Sequence, residues 1–525
     1  EAMEVITEKN PLPFITGTIC AHNCMSKCTR NFYETPVHIR EMKLKAAENG
    51  YEALLEKLPV PAVTKAGKAA VIGGGPAGMA AAYFLRKGGM EVTLFEAKES
   101  LGGVVRHVIP PFRISEDAIE KDAEILRKMQ VDIHCNTKVE SLEELKKQGY
   151  TKIVLAVGAP VQGSLKLESG MPKNALEFLA EFKQTDGKVS LGKHVVVIGG
   201  GNTAMDTARA AKRNAGVEHV YLIYRRTRRY MPADEEELVM ALEDGVEFKE
   251  LLSPVKLENG QLFCKVMQLS DYDVSGRRGV TETGETVWVP ADTVIAAVGE
   301  KVPTDWYQAN GLAVSEKGRL YVDEKTLKTS DDNVYAAGDG LYGPATVVEA
   351  IRDGRKVAEA IAGEVLACDF DKLAEEEKVY AKRGVLKEEQ KETKEAGRCL
   401  GCSTICENCV EVCPNRANIA IQVPGMEKHQ IIHVDYLCNE CGNCKSFCPY
   451  SSAPYLDKFT LFETEADMEN SKNQGFAVLD QETRRCKVRF FGKTFIWEPE
   501  KPAALPDGLG RMIETVCRDY SYLIR

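Results

Sequence analysis

The chain has no continuous apolar run of the ~18 or more residues that a membrane-crossing helix requires, and no charged-then-apolar leader at its start. Both absences predict a cytoplasmic protein with no membrane span. Basic residues are not in excess either: 68 Lys and Arg against 78 Asp and Glu leave a net charge of −10. That balance argues against nucleic acid as a partner, because such binders present a basic face. Cysteine, in contrast, is abundant. Most of the 17 fall at short, fixed spacings, the pattern of metal ligands, whereas a secreted disulfide framework would scatter them. The 525 residues, 44% hydrophobic and 28% charged, suit a globular protein of several domains of ~100–200 residues each. The chain starts at Glu1 without an initiator methionine, so it reads as part of something longer.

The most informative stretch is VIGGGPAGMAAAYFLRKGGMEVTLFEA, residues 71–97. It predicts an apolar strand, the turn Gly73-Gly74-Gly75-Pro76-Ala77-Gly78, an Ala-rich helix, and a second strand ending at Glu96. Each part has a role in cradling a dinucleotide: Gly73 for the tight turn, Gly75 for close approach of the backbone to a pyrophosphate, Gly78 for close helix–strand packing, Glu96 for ribose hydroxyls. Gly102-Gly103 follows closely, and IVLAVG, residues 153–158, is an apolar strand ending in glycine where the chain leaves the domain.

The signal repeats in HVVVIGGGNTAMD, residues 194–206, with the turn Gly199-Gly200-Gly201-Asn202-Thr203-Ala204. Here the second strand ends in Arg225-Arg226-Thr227-Arg228-Arg229 and not in an acid. A carboxylate at this place selects the 2'-hydroxyl of NAD, whereas arginines accept the 2'-phosphate of NADP. Arg225 and Arg226 are therefore the leading phosphate ligands, and NADPH is expected over NADH; a solvated basic loop is the bland alternative. TVIAAVG, residues 293–299, then closes this second unit as IVLAVG closes the first, and NVYAAGDG brings Gly338-Asp339 after an apolar strand. Asp339 would reach a flavin's ribityl chain or a pyrophosphate-bound water, and a helix beginning near Ala345, with Thr346 in its first turn, would aim its N-terminus at the isoalloxazine.

Cysteines mark both ends of the chain. Cys20, Cys24 and Cys28 could hold most of a 4Fe-4S cluster, or could form one small-residue stripe on a helix, since a spacing of four keeps them on one face. After a Lys/Glu-rich helical linker, Cys438, Cys441, Cys444 and Cys448-Pro449 give C-x2-C-x2-C-x3-C-P, the bacterial ferredoxin pattern in which the fourth cysteine serves the other cluster. The earlier run, Cys402, Cys406, Cys409 and Cys413-Pro414, is one residue longer in its first gap, and Cys399 is an alternative to Cys402. One cluster is assigned to Cys402, Cys406, Cys409 and Cys448, the other to Cys438, Cys441, Cys444 and Cys413. Zinc competes, because paired CxxC motifs also build zinc ribbons; the two CxxxCP endings and the hydrophobic IIHVDY favour iron–sulfur. Cys135, Cys486 and Cys517 read as isolated and structural. KVRFFGKTFIWEP near the end predicts a short hairpin, followed by a terminal helix.

GGGPAGMAAA, FRIS after Pro110-Pro111, GGGNTAMD, YRRTRRYMPA and AAGDG occur in one order over roughly residues 15–365. Together they resemble the small subunit of NADPH-dependent glutamate synthase, with similar modules in dihydropyrimidine dehydrogenase and NADPH–ferredoxin transhydrogenases. The resemblance implies an α/β protein with two Rossmann-like domains arranged as in glutathione reductase, with FAD on Gly73, Gly75, Gly78, Glu96 and Asp339. It also implies NADPH on Gly199, Gly201, Asn202 and Arg225, and an N-terminal helical segment with clusters, of which Cys20, Cys24 and Cys28 match only the later part. The C-terminal RCLGC and double CxxxCP depart from that subunit. With the module order, they resemble the C-terminal half of bacterial proteins named as selenate reductase subunits, found with purine-degrading molybdenum hydroxylases.

The expected domains are 1–58 (helical Fe-S segment), 59–159 with 300–366 (FAD), 160–299 (NAD(P)H), 367–397 (linker), 398–453 (α+β ferredoxin-like, two 4Fe-4S clusters) and 454–525 (tail). A disulfide reductase also pairs FAD with NADPH, but Cys264 is the only cysteine between Gly158 and Asn333, so a redox CxxC is missing. The expected protein is an electron-transfer subunit that takes hydride from NADPH by positioning alone, with no catalytic acid or base, and passes single electrons to a partner. The chain carries no amidotransferase, TIM-barrel or FMN signature, so the substrate site is expected on another subunit of a hetero-oligomer. Two other readings stand beside it: a subunit of an electron-bifurcating NAD(P)H–ferredoxin transhydrogenase, and an iron–sulfur scaffold with degenerate nucleotide sites.

Overall fold

The structure is a computed structural model that describes all residues except 1, 27, 29–34, 164, 273–277, 367–394, 396–406, 427–428, 449–451 and 500–504. The chain divides into two compact units, residues 1–21 with 40–370, and residues 22–39 with 371–525.

The first unit follows the alternation of strand and helix that the sequence predicts. Helix α1 (Ile39–Lys57) precedes β1 (Lys68–Ile72), whose KAAVI is buried after its first residue. Helix α2 (Pro76–Lys87) starts on a proline, which suits a first turn whose N–H groups have no intrahelical partner. Strands β2 (Glu91–Phe95), β3 (Asp132–His134) and β4 (Tyr150–Leu155) follow, with helix α3 (Glu116–Lys128) between β2 and β3. Two residues, β5 (Val161–Gln162), lead into the second Rossmann-like sheet: β6 (Lys173–Asn174), β7 (His194–Ile198), helix α4 (Asn202–Arg213), β8 (His219–Tyr224), helix α5 (Glu235–Glu243) and β9 (Glu247–Glu250). An antiparallel sheet of β10 (Leu252–Glu258), β11 (Gln261–Tyr272) and β12 (Arg278–Pro290) is inserted before β13 (Thr293–Ala296). The chain returns through β14 (Glu300–Lys301), which pairs antiparallel with β5, then adds β15 (Val334–Ala336) and helix α6 (Val347–Ala362).

The first sheet has the order β15-β4-β1-β2-β3 and the second β6-β13-β7-β8-β9, all strands parallel. Such sheets are covered on both faces, so their strands read as continuous Val/Ile/Ala runs. The two closing strands seen in the sequence, β4 and β13, lie directly beside β1 and β7, the strands that lead into the glycine turns.

In the second unit, a six-stranded sheet runs β16 (Asn418–Ile421), β17 (Gln430–Val434), β18 (Thr460–Phe462), β19 (Gly475–Asp480), β20 (Arg485–Phe490), β21 (Lys493–Trp497). The hairpin between the two cysteine runs thus continues, through the parallel pairings β17–β18 and β18–β19, into strands beyond residue 453. The expected hairpin is β20–β21, closed by Phe491 and Gly492 at φ 46° and 73°, the left-handed pair that a type I' turn needs. Helix α7 (Asp507–Asp519) packs Met512, Ile513, Val516 and Cys517 against Val488, Cys486 and Trp497 of that sheet. Among the described residues, no helix is long and apolar enough to cross a membrane.

Candidate functional site

The first cradle is built by absent side chains. Gly73 has φ +105°, and a Cβ there would lie 2.3 Å from the carbonyl oxygen of Ala156, just beyond β4. A Cβ on Gly78 would lie 1.9 Å from the Gly73 carbonyl oxygen, so α2 can start this close to the turn only without one. Gly75 and Gly103 face each other: a Cβ on Gly103 (φ +53°) would sit 2.8 Å from the Gly75 Cα. A concavity between bare backbone and the first turn of α2, where Pro76 and Ala77 stand, fits a pyrophosphate. Glu96 follows directly on β2 and is buried. Its two oxygens accept from the backbone N–H of Gly74 (2.6 Å) and Lys98 (2.7 Å), which hold it at the rim of the turn.

The return segment is drawn onto this cradle. Gly338, at φ +70°, lies against Ala77, and its N–H donates to Asp353 (3.3 Å). Asp339 accepts from the Ala345 N–H (3.0 Å); burial, and then the charges of Glu300, Glu349 and Asp353, push its carboxyl up to about 6. Thr346 caps α6 in a capping box with Glu349: its hydroxyl accepts from the Glu349 N–H (3.3 Å), while Glu349 accepts from the Thr346 N–H (3.0 Å). Gly354 lets α6 press on α2, since a Cβ there would lie 2.7 Å from the Ala81 nitrogen. One supporting residue had no signal in the sequence: Tyr307, fully buried, donates its hydroxyl to the Gly340 carbonyl (2.7 Å) and so steadies the Gly338–Asp339 turn.

The second cradle repeats the device. A Cβ on Gly199 would lie 2.5 Å from the carbonyl oxygen of Ala297, the counterpart of Ala156, whereas one on Gly201 would meet nothing within 4 Å. The internal repeat of the sequence therefore has a steric cause: each closing strand passes so near its glycine turn that a side chain is excluded. Asn202 and Thr203 open α4, and the Asn202 side-chain carbonyl accepts from the Asp234 N–H (2.9 Å). Arg225 stands exposed at the end of β8. Arg226 is half-buried and donates to the Arg278 carbonyl (2.8 Å), which ties it to the inserted sheet.

In the second unit, Cys413, Cys438, Cys441 and Cys444 line one cavity together with Asn415, Asn418 and Tyr455. These are the four thiols that the ferredoxin pattern groups. The Cys413 and Cys438 sulfurs accept backbone N–H bonds from Ala417 (3.2 Å) and Glu440 (3.3 Å), contacts of the kind that tune cluster potentials. Burial pushes the Cys438 thiol up, and the nearby Cys413 and Cys444 add to the shift. Cys413, Cys438, Cys441 and Cys444 are donors of the type that either a zinc ion or an iron–sulfur cluster would take. Cys409 is buried and Cys448 half-buried, while Cys399, Cys402 and Cys406 lie outside the described residues.

At the N-terminus, the single helix stripe is not formed. Helix Pro13–Ile19 ends at Cys20, which is extended, and His22 has φ 30° before the short helix Asn23–Ser26 that carries Cys24. Cys20 and Cys28 are half-buried, Cys24 exposed. Cys486 and Cys517 are buried but not isolated: both belong to the core that α7 forms with β20, and the Cys486 thiol donates to the Arg484 carbonyl (3.6 Å).

Residues 67–354 match the family model described as pyridine nucleotide-disulphide oxidoreductase. The chain belongs to that family. It is 39% identical over 510 residues to YgfK of Escherichia coli (strain K12), named as an oxidoreductase, covering 93% of this chain and 48% of that protein. It is 34% identical over 402 residues to the NADPH-Fe(3+) oxidoreductase subunit beta of Geobacter sulfurreducens (strain ATCC 51573 / DSM 12127 / PCA), covering 69% and 59% respectively. With the glutamate synthase (NADPH) small chain of Escherichia coli (strain K12) it shares 33% over 395 residues, 69% of this chain and 82% of that one. The chain spans about half the length of YgfK. Cys264, the single cysteine between Gly158 and Asn333, is fully buried and desolvation pushes its thiol up to about 12, far from the reactive range.

Proposed function

We propose that the protein is an FAD- and iron–sulfur-dependent NADPH oxidoreductase that exchanges electrons with a partner subunit carrying the substrate site. In this reading residues 59–159 with 300–366 hold FAD, on Gly73, Gly75, Pro76, Ala77, Gly78, Glu96, Gly103, Gly338, Asp339 and Thr346. Residues 160–299 hold NADPH, on Gly199, Gly201, Asn202, Thr203, Arg225 and Arg226. Residues 398–453 hold two 4Fe-4S clusters. The observation that carries the reading is the cavity lined by Cys413, Cys438, Cys441 and Cys444, in a chain that also has two glycine cradles bare of side chains. A bound flavin accepts two electrons as hydride and releases them singly, which is what iron–sulfur clusters transmit. The protein's own part is to hold the pyrophosphates on backbone N–H groups and helix N-termini, to orient the ribose through Glu96, and to keep the reacting rings in contact. Several relatives are named as subunits, which supports a partner for this chain.

Anaerobic addition of NADPH to the purified protein is expected to bleach flavin absorbance and to produce low-temperature EPR signals of reduced 4Fe-4S clusters, with dithionite completing the reduction. Zinc in the cysteine sites, or protein without flavin, would overturn the reading. Nicotinamide choice has its own test. Arg225→Ala removes one charge-assisted phosphate contact and should weaken NADPH by about 10- to 100-fold while sparing NADH; equal losses for both would remove Arg225 from the phosphate site.

A further inference from the structure

The FRIS segment has no role in either cradle, yet it bridges the two. Phe112 and Arg113 belong to the first Rossmann unit, between the short helix Val104–His107 beside Gly103 and helix α3. Their side chains end in the second. Arg113 donates to Asp206 on α4 (2.6 Å) and to Glu237 on α5, and the three side chains are only 14%, 10% and 7% exposed. Arg209, on the same face of α4, lies 3.8 Å from Glu237 and donates to Asp244 (2.7 Å), which also pairs with Arg213. The Phe112 ring receives both guanidinium groups, with Arg209 5.1 Å and Arg213 4.3 Å from its centroid, and Val108 and Phe112 pack on the core of the second Rossmann-like sheet.

Buried charges are tolerated only when paired in good geometry. Burial raises the carboxyls of Asp206 and Glu237, while Arg113 and Arg209 pull them back. If the second Rossmann unit turned on the first, Asp206 and Glu237 would lose Arg113, and the two arginines would lose the aromatic face. Pro110-Pro111 stiffens the approach to Phe112. Asp206 lies on the helix that opens at Asn202, so this contact connects the second cradle to the segment that follows Gly103 in the first.

We propose that Arg113, with Phe112, is a positioning residue: a latch that fixes the angle between the two Rossmann units and with it the approach of nicotinamide to flavin. The proposal rests on hydride passing from NADPH to FAD, by which the nicotinamide C4–H bond breaks, its electron pair and proton go to the flavin, and a solvent proton completes the reduced flavin. Full-length Arg113→Gln should keep its flavin and its NADP+ affinity by calorimetry. Its flavin should bleach about 100-fold more slowly on mixing with NADPH, the scale of loss for a ~1 Å displacement. Amide hydrogen exchange, measured without nucleotide, should quicken in residues 108–114 and along α4 and α5. Phe112→Leu leaves the ion pairs in place and carries the same test if Arg113→Gln does not fold, with a slowing of about tenfold. Unchanged bleaching and exchange would overturn the latch, and so would a loss of NADP+ affinity equal to the loss of rate. A wild-type flavin that NADPH does not bleach would instead overturn the proposed function, and the exchange data would still judge the latch.

Discussion

Gly78→Ala is expected to purify without bound flavin and to unfold at lower temperature than the parent. The added Cβ would lie 1.9 Å from the Gly73 carbonyl oxygen, 3.0 Å from its carbon and 3.3 Å from the Ala156 Cβ. None of these is the end of a flexible side chain. Relief requires α2 to move off the turn, which takes the helix N-terminus away from the site where a pyrophosphate would be held. Overpacking alone typically costs about 1–3 kcal/mol, and a backbone contact this short belongs at or above the top of that range. Gly201→Ala is the matched comparison. Its Cβ would meet nothing within 4 Å, so it should fold, keep flavin, and lose only NADPH, because the added methyl would occupy space meant for phosphate. Visible absorbance, thermal unfolding and NADPH titration of both variants check the pair. Gly78→Ala with full flavin content would show that α2 does not carry the pyrophosphate.

Cys413→Ala and Cys441→Ala should each remove about four irons and should remove the same EPR signal, since the fourth ferredoxin cysteine of one run serves the cluster of the other. The two thiols lie far apart in sequence but line one cavity. Cys448→Ala should affect a different signal. If the Cys413 and Cys441 variants lost different signals, the crossed assignment would be wrong; if each lost a single zinc, the module would be structural. Iron and zinc counting alongside EPR separates these outcomes. This loss is large because a cluster's ligands are also its attachment, and metal-site folding free energy goes with them.

Much of the cradle chemistry was legible in the residues because glycine is the one residue whose absence of a side chain has local, sequence-readable consequences. Gly78 is a glycine because of the Gly73 carbonyl five residues before it, and Gly73 adopts φ +105° in the turn itself, so their spacing carries the message even though the Ala156 carbonyl that also excludes a side chain at Gly73 is remote. The arginines after β8 were equally legible as a charge pattern, but the tie from Arg226 to the Arg278 carbonyl depends on an inserted sheet remote in sequence. Tyr307 left no trace, since a tyrosine near a helix start has no distinctive neighbourhood until Gly340 is folded against it. Cys486 and Cys517 looked isolated because the strand and helix whose core they share are separated by strand β21 and the loop after it. Strands β18 and β19, short and paired parallel, gave no alternation strong enough to be read.

From order and spacing alone, the chain determines two Rossmann-like units and a ferredoxin-type cysteine set, because those features arise from short-range sterics and from ligand spacing along a local stretch. Only the tertiary structure decided which distant groups meet: β4 and β13 over the glycine turns, Arg113 between Asp206 and Glu237, Tyr307 against Gly340. The reason is that such contacts depend on packing, where burial makes pairing obligatory for charged groups, and no local pattern of residues records which partner will be within reach.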